Sequence, residues 1–429
     1  MILLLLLGVI LCVLFFLGCP FMVFISVVFF VIRFFFFPDV SLNVGVQQIL
    51  AGISPLSLVC VPMFILAANI ITSGNIAKKM INMMRNLVGH LYGGLPIVTN
   101  LASTLFGSVS GSTQATVAAI GGPMYPMLLE GGYSSSFSIG LIINSSDIAL
   151  LIPPSIGFII YGMITRTSVG KLFLAGILPG LLICVLFSIF CYFYSKYKKI
   201  KLYPKSNWEE RKQSIKESLP IIGFPIIILG GIYSGIFSPT EAAATSVLYA
   251  LILEGLFYRS LTFKQIIDIS LSTAVVTAVV FILVGTGKAV SWMIAYSKIG
   301  EMILPPLFGI EPSAVKVIIV VNILYFFACM FTDPTVAMFI LTPLLFPYIA
   351  QAGIDPILMG VLVVMQAAIG SASPPFGCDI FTAVVIFKRP YLEVISMVWP
   401  FVLILLFAVA LVVIFPELAL FIPRHAFGG

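Results

Sequence analysis

The stretch Phe106–Gly122, FGSVSGSTQATVAAIGG, sets small and hydroxyl side chains between strongly apolar flanks. Hydrocarbon supplies no water to hydrogen-bond such groups, so this run needs protein, an ion or a ligand around it. Glycine and serine also let helices approach closely, and helix packing explains the stretch as well as a binding site does. The rest of the chain is needed to choose between them. The polar side chains here are Ser103, Ser108, Ser110, Ser112, Thr113, Gln114 and Thr116.

The composition is that of an integral membrane protein. Hydrophobic residues make up 61% of the 429 residues, charged residues make up 9%, and the mean hydropathy is +1.19. Apolar runs of roughly 18 residues or more recur along the chain, which predicts membrane-spanning helices and not the alternating strands of a barrel. The net charge of +6 does not indicate nucleic acid, because eight of the 22 basic residues lie in one loop. The seven cysteines have no CxxC spacing and predict neither a disulfide framework nor a zinc site.

Two neighbouring segments carry breaks that a simple span would not have. Residues 93–130 form two short apolar halves around the turn 110–112, which predicts a re-entrant helical hairpin. The next segment, 134–165, is interrupted by the polar run 144–147 and by the proline pair 153–154. A proline pair breaks a helix and frees its carbonyl groups.

The second half of the chain repeats the first at an offset of 221 residues. Four such proline matches at one offset are expected by chance roughly once in a thousand. The same offset carries the turn 110–112 onto 331–333. The matched pairs are Pro126 with Pro347, Pro153 with Pro374, Pro154 with Pro375, and Pro179 with Pro400.

The chain therefore divides into two repeats, each with five spans and one hairpin, joined by a basic loop. Residues 2–37 predict two short spans broken near Pro20, and roughly 44–73 predicts a single span. The predicted bounds are 1–197 for the first repeat, 198–217 for the loop and 218–429 for the second repeat, with hairpins at about 93–130 and 313–350 and broken spans at about 134–165 and 356–387.

The parity of the spans predicts the orientation of the repeats. An odd number of crossings turns the two copies opposite ways, as in many secondary transporters. With the basic loop in the cytoplasm, 15 of the 22 basic residues fall on that side, which fits the positive-inside rule. Both termini are then predicted to be periplasmic. The predicted fold is an all-α, inverted-repeat membrane protein with about ten spans and two hairpins.

The breaks predict chemistry as well as shape. Unwound backbone and Ser, Thr and Asn side chains offer hard oxygen ligands that suit sodium, and helix N-termini favour a carboxylate. Asp147, Asp333 and Asp379 lie at or near the breaks as candidate ion ligands or proton carriers. They fit helix N-caps too, and that alternative stays open. Together these features indicate cation-coupled uptake of an anion.

The sequence does not match the intramembrane enzymes that we considered. The run 107–111, GSVSG, has Val109 where the serine of a G-x-S-x-G nucleophile belongs, and the histidines are His90 and His425. Residues 377–379 are only a weak match to an aspartyl protease motif. No G-x-x-x-x-G-K-[ST] sequence is present, so the chain is not expected to hydrolyse ATP. We predict a protein that is not an enzyme, and a channel would not need the two hairpins.

Five motifs carry a family resemblance: LFGSVSGS at 105–112, LIPPS at 151–155, GGIYSGIFSPTEAAA at 230–244, MFTDPT at 330–335 and SPPFG at 373–377. Together they resemble the large membrane subunit of tripartite ATP-independent periplasmic (TRAP) transporters over nearly the full length. The resemblance implies a sodium-driven elevator in the bacterial inner membrane. It also implies two separate partners, a small four-helix membrane subunit and a soluble periplasmic substrate-binding protein that delivers a carboxylate.

One departure from the family bears on the substrate. Many members continue the second proline pair as P-P-V-G-L-N-L-F, whereas this chain reads PPFGCDIF at 374–381. That variant is similar to the sialic-acid branch, so N-acetylneuraminate is expected ahead of C4-dicarboxylates. A single-component, ion-coupled dicarboxylate carrier that needs no binding protein is the alternative.

Position alone assigns the candidate site residues. The substrate is expected between the two hairpin turns, near Ser112, Asn144, Pro154, Ser155, Pro375 and Asp379. Two or more sodium ions are expected. The first is placed at Ser103, Ser108, Ser110, Ser145 and Ser146, and the second at Thr332, Asp333, Gly370, Ser371 and Ser373.

Overall fold

The computed structural model describes a helical molecule, with no strand among the described residues. These residues are 13–14, 19, 21–200, 202–297, 308–309 and 312–427. The first predicted span and its break near Pro20 lie largely outside them. The first half contains α1 (Phe21–Phe36), α2 (Leu42–Ile53), α3 (Cys60–Ser73), α4 (Ile76–Val88), α5 (Gly94–Ser110), α6 (Thr113–Glu130), α7 (Ser135–Ser146), α8 (Ile156–Thr165) and α9 (Val169–Tyr197). The second half contains α10 (Trp208–Tyr233), α11 (Pro239–Leu251), α12 (Phe263–Ser297), α13 (Ala314–Phe331), α14 (Pro334–Gln351), α15 (Pro356–Ser371), α16 (Cys378–Phe387), α17 (Tyr391–Ile395), α18 (Trp399–Ile414) and α19 (Glu417–Phe427).

The repeat is visible in the helices themselves. Helices α5 and α6 form the first hairpin, and α13 and α14 form the second. The returning arms α6 and α14 are each 18 residues long and begin 221 residues apart. A broken helix follows each hairpin, α7 with α8 in the first copy and α15 with α16 in the second. Both breaks contain a cis proline pair, Pro153–Pro154 and Pro374–Pro375.

Local sequence explains where the hairpin arms begin. The side chains of Ser112 and Asp333 cap α6 and α14 by accepting hydrogen bonds from backbone amides of the first turn. Pro334 takes the first helical position of α14, where a missing N–H leaves no bond unmade. Gly111 turns the first hairpin in a left-handed conformation with φ +59°, whereas Thr332 turns the second in an extended one with φ −133°. Both returning arms therefore present their N-termini at the turns.

The two copies differ outside the hairpins. Helix α12 is 35 residues long and packs against α1, α2, α3 and α14. Its counterpart in the first copy is the segment expected to be one span at 44–73, and that expectation is wrong, because the structure divides the segment into α2 and α3. Pro55 lies at the division and cannot continue a helix, whereas the equivalent position in the second copy is Val276.

The basic segment between the repeats is only partly a loop. Helix α9 ends at Tyr197, and α10 already begins at Trp208. Asn207 and Glu210 start α10 as a capping box, each side chain bonding to the other residue's backbone amide at 2.8 and 3.0 Å. The Lys79–Glu217 ion pair, with N and O 3.4 Å apart, then joins α10 to α4.

Helix lengths decide how many spans can be counted. Six described helices are long and apolar enough to cross a membrane, and the number rises to eight if two bent pairs count as spans. One of these pairs is α3 with α4, which meet at 67°. The sequence predicts about ten spans. Part of the difference arises because α2 and the halves of the broken helices are shorter apolar helices of 10–17 residues, which the count leaves out.

Candidate transport site

A cavity of about 300 Å³ lies between the two hairpin turns. From the first hairpin it is lined by residues 110–115, and from the second by residues 333–335. Asn69 of α3 and Val276 of α12 close the opposite side. A hydrogen bond of 2.9 Å from the Asn69 amide to the Thr273 hydroxyl holds α3 against α12. We call this space the tip cavity.

The electrostatics of the tip cavity combine two kinds of group. The N-termini of α6 and α14 point partial positive charge at it, which favours an anionic group on a ligand. Asp333 adds a carboxyl group, one oxygen of which accepts a hydrogen bond of 2.8 Å from the Thr335 amide. No Lys or Arg is among the described residues of the lining. The cavity therefore offers both an anion site and a carboxyl group.

Of the residues predicted to contact substrate, Ser112 lines the tip cavity. The others lie behind it, at the two breaks. Pro154 packs its carbonyl oxygen against Gly111, and Ser155 donates to the Leu150 carbonyl at 2.5 Å. Asn144 donates to the Gly140 carbonyl at 2.8 Å. In the second copy, the Pro375 carbonyl accepts a hydrogen bond of 2.7 Å from the Tyr391 hydroxyl.

Asp379, the last of the predicted substrate residues, joins the two repeats. One carboxyl oxygen accepts a hydrogen bond of 2.7 Å from Thr113 in the first hairpin, and the other accepts one of 2.8 Å from Ser371 at the second break. The side chain is fully buried. Asp379 thus connects residues 266 positions apart in sequence, just behind the tip cavity.

The residues predicted for the first sodium ion include several oxygen atoms without partners. Ser103 Oγ and Ser145 Oγ are buried and have no hydrogen-bond partner, and the same holds for Asn144 Oδ1 and both carboxyl oxygens of Asp147. An unsatisfied buried oxygen is costly unless an ion or water meets it. This set has the hard-oxygen chemistry that an alkali cation requires.

The other first-site residues have partners within the chain. Ser108 donates to the Leu105 carbonyl at 2.6 Å, and Ser146 donates to the Ile142 carbonyl at 2.8 Å. The Ser110 hydroxyl lies 3.0 Å from the Thr116 hydroxyl. Hydroxyl oxygens that donate to a carbonyl still keep lone pairs for a cation.

The residues predicted for the second sodium ion lie at the second turn and the second break. Thr332 donates to the Ala328 carbonyl at 3.0 Å, and Ser373 donates to the Ile369 carbonyl at 2.6 Å. Gly370 packs directly on Cys329 of the second hairpin, so a Cβ there would overlap that side chain. No group of three or more His, Cys, Asp or Glu side chains suited to a metal occurs in the described part of the chain.

Sequence reasoning left several of these residues without a role. Asp147 was noted at the break but not given to a site, although its charge next to two serines was a usable signal. Thr113 and Gln114 follow the capping Ser112, and Cys378 follows the second break; all three line the tip cavity. Asn69 gave no signal, because a lone Asn in an apolar helix does not show which element it faces.

The fold and the cavity define the class of protein. Two solved structures share the fold: MtrF of Neisseria gonorrhoeae, described within a class of antimetabolite efflux pumps, and the YdaH transporter of Alcanivorax borkumensis. The TM-scores are 0.59 and 0.60, at 14% and 13% identity. The matches cover 87% and 89% of this chain and 83% and 87% of theirs. The predicted fold class, an all-α inverted-repeat transporter of elevator type with two helical hairpins, is confirmed.

The family follows from the sequence comparison. The family model described as the DctM component of the tripartite ATP-independent periplasmic transporter matches residues 8–418. The chain belongs to this family of TRAP large permease subunits, and it is a multi-pass inner-membrane protein. TRAP large permeases work with a small membrane subunit and a periplasmic binding protein. The named relatives are transporter permeases and not enzymes.

The relatives correct the expected substrate. The ectoine TRAP large permease of Halomonas elongata is 53% identical, and the ectoine/5-hydroxyectoine permease of Ruegeria pomeroyi is 51% identical. Each match covers 89% of this chain, and 90% and 89% of the relative. The sialic acid permease of Vibrio cholerae is only 34% identical, over 90% of this chain and 91% of its own. The expectation of N-acetylneuraminate is therefore wrong. Physically, Asp379 of the PPFGCDIF motif points to Thr113 and Ser371, so the motif does not report the substrate.

Proposed function

We propose that this chain is the large permease of a TRAP transporter that imports ectoine or 5-hydroxyectoine, with a separate small membrane subunit and a periplasmic binding protein. The observation that carries the proposal is the identity of 53% and 51% to two ectoine permeases over 89% of the chain. The chain acts as a carrier and catalyses no covalent step.

The tip cavity supports a small zwitterionic substrate. Ectoine has about ten non-hydrogen atoms, about half the number in N-acetylneuraminate, and a cavity of about 300 Å³ is at the small end of ligand sites. Its carboxylate suits the N-termini of α6 and α14. Its delocalised amidinium cation suits a carboxyl group such as that of Asp333. The same space thus meets both ends of the molecule.

We propose sodium as the coupling ion. The support is the group of buried oxygens without partners at Ser103, Asn144, Ser145 and Asp147. These atoms lie on the first hairpin and at the break after it, so an ion between them would tie the hairpin to the broken helix. In the same proposal, the basic loop is cytoplasmic and both termini are periplasmic.

The proposal is tested by uptake of radiolabelled ectoine into proteoliposomes that hold the chain and its small subunit. A sodium gradient and the substrate-loaded binding protein are added separately and together. Uptake is expected only when both are present, and a potassium gradient of equal size serves as the control. Full uptake without sodium would contradict the coupling ion, and full uptake without the binding protein would contradict the tripartite mechanism. Transport of another solute but no ectoine would contradict the substrate.

A further inference from the structure

A second cavity, of about 420 Å³, lies beside the tip cavity along the same helices. Helices α8, α12 and α14 line both. Ile160 lines the tip cavity, while Met163 and Ile164 line the second; on α12 the boundary falls between Val280 and Val284. One helical turn therefore separates the two spaces. The second cavity also contacts Pro347, near the end of the second hairpin, which places it on the side from which that hairpin enters.

Two cations give this second cavity its charge. Arg166 and Lys288 both line it, and no Asp or Glu is among its described lining residues. Both side chains belong to exposed residues. In the described part of the chain, neither of the two ion pairs includes Arg166 or Lys288. An apolar-walled space with two cations and no counter-charge attracts an anion.

Local structure fixes both cations in position. Arg166 ends α8 in a left-handed conformation with φ 58°, and the Thr165 and Thr167 hydroxyls meet at 2.8 Å across it. The stem of Lys288 packs on Gly52, where a Cβ would lie 2.8 Å from the Lys288 Cβ. These constraints hold the two side chains on different helices that face one space.

We propose that this second cavity is an entry vestibule, in which Arg166 and Lys288 bind the substrate's carboxylate before the substrate reaches the tip cavity. The proposal rests on the proposed function for the identity of the substrate. The two cavities then divide the task. The vestibule attracts the anionic end through full charges, and the tip cavity, which has no Lys or Arg among its described lining residues, holds the same end at helix N-termini.

The vestibule's charge can be measured without transport. Ser291 lines it and accepts a cysteine without loss of either cation. In the complex with the small subunit, Ser291→Cys is labelled with an anionic and with a cationic methanethiosulfonate reagent, and the parent chain gives the background. The anionic reagent is expected to react roughly fivefold faster, since two unit charges about 4 Å apart in water interact by ~1 kcal/mol. Arg166→Gln and Lys288→Gln should each reduce this preference. Lys316→Gln, an exposed cation outside the vestibule, should not.

Ligand arms identify the anion. Acetate should slow labelling at constant ionic strength and acetamide should not; ectoine should slow it at lower concentration than acetate. No preference for the anionic reagent, or a preference that both Gln variants leave unchanged, would overturn the proposal. Abolition of the preference by phosphatidylglycerol, with no effect of acetate, would assign the cations to a lipid headgroup and overturn it as well. Protection by acetate without ectoine transport would retain the vestibule and refute only the substrate.

Uptake kinetics separate binding from folding. Arg166→Gln and Lys288→Gln should raise the half-saturating concentration of substrate-loaded binding protein roughly fivefold each, with the maximal rate kept. Arg166→Lys and Lys288→Arg keep the charge and should restore most of the affinity. A fall in maximal rate that the charge-conserving variants share would indicate a packing role and contradict capture of the carboxylate.

Discussion

Single side chains decide the ion site. Ser103→Ala and Ser145→Ala each remove one buried oxygen that lacks a partner within the chain. Each variant is expected to raise the sodium concentration for half-maximal uptake roughly tenfold, which corresponds to the loss of about 1.4 kcal/mol. Sodium titration of ectoine uptake measures this. Ser396→Ala is the control, because Ser396 is exposed and bonds to its own turn. Unchanged sodium dependence in both variants would place the ion elsewhere.

At the same scale, the sequence predicted residue types better than contacts. Serines and aspartates at the breaks were identifiable because polar groups in a membrane helix are rare. The partners of Asp379 were not, since Thr113 lies 266 residues away and only the folded chain brings the two together. The substrate prediction failed for the same reason: a local motif was compared with other families' motifs without knowledge of which way its carboxylate points.

The hairpin turns are elements in which backbone conformation matters most. Gly111 has φ +59°, and a Cβ there would overlap the Pro154 carbonyl oxygen. Gly111→Ala is therefore expected to destabilise the chain by more than about 2 kcal/mol and to abolish most uptake. The thermal unfolding midpoint and ectoine uptake test this. Gly122→Ala in the same hairpin is the control, because no atom lies within 4 Å of its added Cβ. Equal behaviour of the two variants would refute the argument.

Helix breaks were predictable wherever proline or a polar run marks them. The proline pairs and the turns gave both hairpins and both broken helices, because those residues act through local chemistry. The division of 44–73 into α2 and α3 was missed, although Pro55 is a comparable signal. The bent pair of α3 and α4 depends on tertiary contacts. Glu254, far away in sequence, accepts hydrogen bonds from the Asn75 and Ile76 amides at the bend, at 3.4 and 3.2 Å.

For the whole molecule, the structure sharpens a test of orientation. Ser206 bonds to Asn86, Lys79 pairs with Glu217 and lies 5.0 Å from the Tyr258 ring, so the basic loop and the start of α12 are on one side. Helix α12 then carries the exposed Tyr296 to the opposite side, since 35 residues span about 52 Å.

Membrane-impermeant thiol reagents test that orientation. Lys205→Cys is expected to be labelled only in inside-out vesicles, and Tyr296→Cys only in right-side-out cells or vesicles. The parent chain provides the background of native cysteines. Labelling in the reverse pattern would invert the predicted topology and exchange the faces from which the two hairpins enter. At this scale the sequence performed well, because the offset of 221 residues and the charge distribution are properties of the whole chain.

The link through Asp379 has a bearing on how such a chain can evolve. At the offset of 221 residues, the counterpart of Asp379 is Phe158 and the counterpart of Thr113 is Pro334, so this carboxyl–hydroxyl bond exists once and has no mirror image. A homodimer of either half would lack it, because each half carries only one of the two partners. The halves have thus become genetically dependent on each other, and a substitution at position 113 is selected together with its partner at position 379.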